Sequence, residues 1–275
     1  MDADLGVKSD MCHEYGSRRD RDDILFAQPE SSNYGDCPIC FLPLPIDTGK
    51  HVVLTCCSKF ICSGCRCADM KHHMNRSLER RCPFCRELPP ATSAKIVANL
   101  MRRVEANDPV AMQQVGGIHH SKGEYNKAFH YWRKASGLGN AKAHFDLSFL
   151  YHDGEGVEKD EQKFIHHSEE AAIAGHPIAR FNLGFIEWND GNFERAVKHL
   201  IIAANLGEEE SLKMLKQGYA KGLVSKEDFA AALRAYQTAV DATKSTQREV
   251  SGDIEHVNIK EMNDELQKAT ATVFA

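Results

Sequence analysis

The chain lacks long apolar runs. Leu200–Ala204 is among the longest, against the roughly 20 consecutive residues that a bilayer-spanning helix needs. The opening, MDADLGVKSD, holds no apolar stretch of the kind that directs secretion. One-sided charge is also missing, and a formal net charge of −5 over 275 residues disfavours general nucleic-acid binding, although Arg76, Arg80, Arg81 and Arg86 leave a local basic patch. Tryptophan is scarce, and Trp132 and Trp188 read as core residues rather than stacking platforms. There is no nucleophile elbow, no H-E-x-x-H and no dinucleotide fingerprint. Gly154-x-Gly156 lacks the preceding strand and the following Lys-Ser/Thr of a phosphate loop. The expected setting is the cytosol or the nucleus, where thiols stay reduced and clustered cysteines read as metal ligands rather than disulfides.

Cysteine is what the chain has in quantity. Eight of its ten cysteines form Cys37-x2-Cys40, Cys56-Cys57, Cys62-x2-Cys65 and Cys82-x2-Cys85. That makes two complete tetrahedral thiolate sets, the donor count of two structural zinc ions. Four sulfurs per ion leave no open position at which water could be activated. A stretch of some fifty residues buries too little apolar surface to fold alone, so metal must supply much of its stability, on the order of 10–16 kcal/mol in comparable domains. Between the pairs, Val52–Leu54 reads as a short strand and Met70–Leu78 as a short helix. Cys67 reads as a packing residue or spare thiol, and Cys12-His13 as an isolated, free thiol.

Composition divides the chain into five parts. Residues 1–36 are polar and mixed in charge (RRDRDD at 18–23) and read as a disordered arm. Residues 37–88 are the cysteine module. Residues 89–108 form a Pro-Pro linker and a connecting helix from about Ser93, with Ile96, Val97, Leu100 and Val104 on one face. Asp108 is placed to cap the next helix and Pro109 to start it. Residues 109–241 repeat: Gly139, Gly175 and Gly207 lie 36 and 32 residues apart, each fitting the left-handed end of a helix. Tyr125, Ala128, Phe129, Trp132 and Ala135 form one buried stripe, and Phe193, Ala196, Val197, Leu200, Ile201 and Ala204 another. Glu209–Asp241 reads as a degenerate fourth unit capping the array, with Ser225 and Asp228 at a helix start. Residues 242–275 read as a mobile tail, with Ile259, Met262 and Leu266 a candidate amphipathic face.

The order of the cysteine pairs, with Cys37-Pro38-Ile39-Cys40 and Cys82-Pro83-Phe84-Cys85, resembles the all-cysteine variant of the RING finger, the zinc module of many ubiquitin ligases. The resemblance implies interleaved ligation. Cys37, Cys40, Cys62 and Cys65 would hold one Zn2+, and Cys56, Cys57, Cys82 and Cys85 the other. The chain departs from the common pattern at Lys59, where a histidine would ordinarily stand. Adjacent Cys56 and Cys57 then have to converge on one metal through an unusual turn; His51, then His72 or His73, are the stand-ins. The resemblance further implies that Ile39 and Pro83 contact a ubiquitin-conjugating enzyme and that Arg86 bridges to ubiquitin.

Residues 109–241 resemble Sel-one-like repeats, relatives of tetratricopeptide repeats. The resemblance rests on Gly154-Glu155-Gly156-Val157-Glu158-Lys159-Asp160 and on helix ends such as Lys134-Ala135 to Gly139 and Ala171-Ala172 to Gly175. The His pairs at 72–73, 119–120 and 166–167 read as solvated helix faces, because consecutive helical residues point about 100° apart. The expected architecture is therefore mostly α, a small cross-brace zinc module followed by an α-solenoid of helix-turn-helix repeats. Two functions stay open. One is a ubiquitin ligase whose module recruits the conjugating enzyme while the array takes a protein or peptide ligand. The other is a non-catalytic interaction scaffold with structural zinc.

Overall fold

A computed structural model describes residues 18–249. Cys12-His13 and the stretch holding Ile259, Met262 and Leu266 lie outside these residues. The chain begins with α1 (Arg18–Leu25) and enters the cysteine module, which holds β1 (His51–Leu54), β2 (Lys59–Cys62) and α2 (Ser63–Asn75). Next come α3 (Ser93–Glu105) and four helix pairs: α4 (Pro109–Ser121) with α5 (Tyr125–Gly137), α6 (Ala141–Asp153) with α7 (Glu161–Ile173), α8 (Pro177–Asn189) with α9 (Phe193–Asn205), and α10 (Glu209–Ala220) with α11 (Lys226–Ala242).

Local chemistry sets the helix boundaries. Asp108 accepts from the amides of Val110 (2.9 Å) and Ala111 (3.3 Å), with Pro109 at the first helical position of α4. Asn140, Asp160 and Ser225 cap α6, α7 and α11 in the same way. Gly139, Gly175 and Gly207 carry φ of 80°, 81° and 92°, the left-handed turn expected between units. The cap on α8 was not anticipated: His176 is buried, and its Nδ1 accepts from the Ala179 amide at 3.2 Å.

The core runs through the array as a chain of small clusters. Met112, Ala128, Trp132, Ala135, Ala143, Leu147 and Leu150 join the first two pairs, and Leu200, Ala204, Leu215, Val224 and Ala232 join the last two. Leu100 on α3 packs against Ala111 and Val115 of α4, so the connecting helix extends the stack by one layer. Trp132 is a core residue, its Nε1 donating to the Gln113 carbonyl at 3.0 Å. Trp188 is half-buried against the last cluster.

Four expectations need correction. The second half of the 1–36 arm is ordered: α1 packs on α7, and Leu25 is 2% exposed. A window of charged residues concealed this, because ion pairs to the array hold the segment in place of a broad apolar stripe. The module's helix begins at Ser63 rather than Met70 and ends before Leu78, because Cys62 Sγ accepts from the Cys65 amide (3.4 Å) and caps it. The tail does not begin at 242 as a free segment, for Gln247 Nε2 donates to the Gly64 carbonyl at 3.0 Å. Finally, the His pairs are not all solvated. His119 is buried, its ring stacked on Tyr131 at 5.5 Å, and His167 lies 3.0 Å from His144 through their Nδ1 atoms. The divergence of adjacent helical side chains turns these two members inward.

Two stability predictions follow from this packing. Gly→Ala in a helix ordinarily adds about 1 kcal/mol. A Cβ at Gly116 would lie 2.4 Å from the Trp132 ring, so Gly116→Ala is expected to lose about 1–3 kcal/mol, read as a lower urea midpoint. Burial pushes the His176 and His199 imidazoles down to about 3, with the charge of Lys142 adding to the effect at His176 and those of Arg180 and Arg195 at His199. The unfolded chain protonates near pH 6.5 while the folded chain refuses the proton. Stability is therefore complete above about pH 6.5 and falls as pH drops toward 3, by at most about 1.4 kcal/mol per pH unit for each histidine. Urea midpoints between pH 7 and pH 4.5 should show a shallower fall in His176→Asn, which keeps a cap acceptor but no titrating ring.

Candidate metal centre

The cysteine module is assembled from two matching knuckles and one hairpin. In the first knuckle the Cys37 amide donates to the Leu42 carbonyl (2.9 Å) and the Phe41 amide to the Cys37 carbonyl (2.8 Å), with Phe41 at φ 58°. The last knuckle repeats this. The Cys82 amide donates to Glu87 (2.8 Å), the Arg86 amide to Cys82 (3.0 Å), and Arg86 sits at φ 63°. Each C-P-x-C turn thus folds its two sulfurs to one side. The antiparallel hairpin pairs His51 with Cys62 and Leu54 with Lys59. At its tip the Cys57 and Ser58 amides both donate to the Leu54 carbonyl (3.0 and 2.7 Å), and Ser58 adopts φ 57°. This is the tight turn that adjacent Cys56 and Cys57 required.

The sulfurs interleave. Cys37, Cys40, Cys62 and Cys65 form one set and Cys56, Cys57, Cys82 and Cys85 the other, each with all Sγ atoms within 4.8 Å of one another. Cys40 and Cys62 are 3.9 Å apart, and Cys57 and Cys82 are 3.7 Å apart. Four sulfurs about 2.3 Å from one centre at tetrahedral angles would be about 3.8 Å apart, the spacing that Cys40–Cys62 and Cys57–Cys82 show. Burial, reinforced by neighbouring sulfurs, pushes the Cys56 and Cys65 thiols up, and burial takes Cys57 up to about 11. Such sulfurs become thiolates together only around a cation, and an all-sulfur set suits a soft or borderline one. The two sets can hold metal ions.

The alternative ligands lie elsewhere. His51 is buried between Tyr34 and Phe60, with ring centroids at 4.4 and 5.8 Å, and its Nδ1 is 3.0 Å from the Pro45 carbonyl. His73 Nδ1 is 2.8 Å from the Asp69 carbonyl, and His72 is exposed. None of the three joins a sulfur set. Ile39, Pro83 and Arg86 are all exposed on the knuckles.

Arg248 was not anticipated. Its guanidinium donates to Cys40 Sγ (3.3 Å), Leu42 O (3.1 Å) and Pro43 O (2.7 Å). Burial works against ionising Cys40, yet the Leu42 backbone and Arg248 together bring its thiol down to about 7. No sequence signal could have found a residue more than 200 positions from its partner in a polar tail. A second clamp joins Glu87, just past the last knuckle, to Arg102 on α3 at 2.7 Å.

The chain is thus an α-solenoid of stacked helix pairs carrying a compact module with two interleaved cysteine sets. The family model described as Sel1 repeat matches residues 109–140, 141–176 and 177–208, each one helix pair. Among solved structures, the chain is similar to a protective antigen of uropathogenic Escherichia coli with an SLR fold. That match has 24% identity and a TM-score of 0.44, and covers 54% of this chain and 33% of that one. A Sel1 repeat protein from Oxalobacter formigenes matches at 25% identity and a TM-score of 0.41, covering 44% of this chain and 97% of that one. No curated protein matches. The segments that the family model matches leave the cysteine module outside.

Replacing one ligand should separate the hairpin pair from the histidine alternative. Cys57→Ser is expected to lose one bound metal ion per chain by elemental analysis, while His51→Ala keeps both. Retention of both ions by Cys57→Ser would reassign the second set.

Proposed function

We propose that residues 37–88 are a RING-type zinc finger that recruits a ubiquitin-conjugating enzyme, and that the Sel1-repeat array is a protein-interaction scaffold presenting a protein substrate. The observation that carries the reading is the interleaving of the sulfur sets, first pair with third and second pair with fourth. Zinc, when bound, supplies structural cross-links with closed coordination and no catalytic water. The chain's own residues do the rest. Ile39 and Pro83 offer exposed apolar contacts on the first and last knuckles, and Phe41 and Phe84 are exposed on the same two turns. Arg86, held in a left-handed turn directly after the last ligand, offers a planar fork able to satisfy two carbonyl acceptors at once. Catalysis of this kind is positioning: a thioester is held in reactive geometry while an amine on the array-bound substrate attacks its carbonyl. The amide forms as the C–S bond breaks, the conjugating enzyme's cysteine leaving as thiolate and the amine's proton passing to solvent.

The second reading is a scaffold without ligase activity. It is favoured by α2, whose sequence SGCRCADMKHHMN lacks the tryptophan that the RING family often places at the enzyme contact.

Discharge of ubiquitin from a charged conjugating enzyme onto free lysine decides between them. The ligase reading expects acceleration by the zinc-loaded chain with at least one enzyme of a broad panel. Ile39→Ala or Arg86→Ala should reduce that acceleration by about tenfold or more, equivalent to about 1.4 kcal/mol of lost positioning energy. No acceleration with any member, by folded and metal-replete protein, would leave the scaffold.

A further inference from the structure

The segment that enters the cysteine module first crosses the array, and it does so in the manner of a bound peptide. α1 has 8 residues, RRDRDDIL, of which six are charged. An isolated helix of that length is unstable in water, so the array must supply its order. Arg21 pairs with Glu169 on α7, and Asp22 accepts from Arg195 on α9 through both oxygens at 2.9 Å. Leu25 is buried among Ala171, Ala172, Ala179 and Leu183, where three alanines let a second helix approach closely. Phe26 lies 4.7 Å from the His199 ring, with the Arg195 guanidinium 4.9 Å above its face.

Arg180 makes the surface specific. It is fully buried on α8, and its guanidinium donates to the Ala172 carbonyl at 2.8 Å and to the Leu25 carbonyl. Leu25 ends α1, and its carbonyl is one of those that every helix leaves without an intrahelical partner. A buried cation with a donor aimed outward needs an acceptor there, because leaving it unpaired is costly. Any occupant must therefore bring an acceptor to this point, and the last turn of α1 supplies one in the Leu25 carbonyl. α1 does not fill the site: an open cleft of about 320 Å³ beside it is lined by Glu169, Leu183, Ile186, Arg195 and His199.

We infer that the groove between α7, α8 and α9 is the array's ligand site, and that α1 occupies it in cis as an internal competitor. The ligand class is a short amphipathic helix ending in Leu-Phe, with an arginine four residues and a carboxylate three residues before the leucine. These positions share one helical face. This rests on the array being a protein-binding scaffold and not on ligase activity. The tether through residues 26–36 holds α1 at an effective concentration in the millimolar range, so a competitor must bind well to displace it.

The test uses the full zinc-loaded chain and a fluorescein-labelled peptide of residues 18–28, read by anisotropy. Leu25→Asp loosens the internal helix and should bind the peptide about tenfold or more tighter than the wild-type chain. The same peptide carrying Leu25→Asp should bind neither. Peptide affinity within about twofold of wild type, in a folded variant, overturns the inference. Should Leu25→Asp fail to fold, Asp22→Arg replaces it, changing only an ion pair at the groove's edge. Asp22→Arg should likewise raise peptide affinity, and adding Arg195→Asp should cancel the gain; an unchanged affinity overturns the inference. A displayed random-peptide library panned on the loosened variant completes the test. Enriched peptides that the 18–28 peptide displaces support the groove. Enriched peptides that it does not displace overturn the groove and leave the array a protein binder, and no enrichment overturns both.

Discussion

Sulfur crowding is the constraint on which the rest depends. Each set of four sulfurs lies within 4.8 Å, in a module whose buried cluster consists of Leu44 and Ile61 beside Cys37, Cys62 and Cys65. Apolar burial on that scale cannot offset the ordering of some fifty residues. The backbone also pays locally, with Phe41, Ser58 and Arg86 in left-handed turns that non-glycine residues seldom adopt. Those turns aim sulfurs inward, where a cation shared among them would offset the strain. Interleaving would then matter mechanically, because each bound ion would tie residues from distant parts of the module and close loops that would otherwise be free.

The array solves a different problem by different means. Its helices stack through small side chains (Ala128, Ala143, Ala171, Ala179, Ala204), so local contacts between neighbours provide the stability. Module and array are joined at several separated points. The strap from α1 reaches Asn33, whose amide donates to the Gly175 carbonyl at 3.0 Å, and Gly175 has no room for a side chain because the Ser31 carbonyl would meet it at 2.7 Å. Glu87 reaches Arg102 on α3, and Arg248 returns from beyond α11 to the first knuckle. The first cysteine set, the docked α1 and the end of the array are therefore linked through one continuous run of contacts.

Much of this was legible in the sequence because spacing there has a direct physical meaning. The glycines at 139, 175 and 207 marked the unit ends, Asp108-Pro109 marked a helix start, and the paired cysteines marked the knuckles. Adjacent Cys56 and Cys57 could be proposed as ligands, but the turn that brings them together depends on the Ser58 backbone, which residue identity alone does not announce. What could not be read was long-range and polar. α1 looks disordered by composition, yet Glu169, Arg195 and Arg180 give its charges and its last carbonyl partners on three other helices. Arg248 and the His176 cap are hidden for the same reason, since a polar residue gains its role from the partner that folding delivers.

Amide hydrogen exchange across the chain before and after chelation tests the central claim most directly. With metal removed, amides of residues 37–88 should lose protection and exchange at rates close to those of unfolded chain, while the helices from α4 to α9 keep theirs. Persistent protection of the knuckle amides in metal-free protein would contradict the claim that shared cations hold this module in shape.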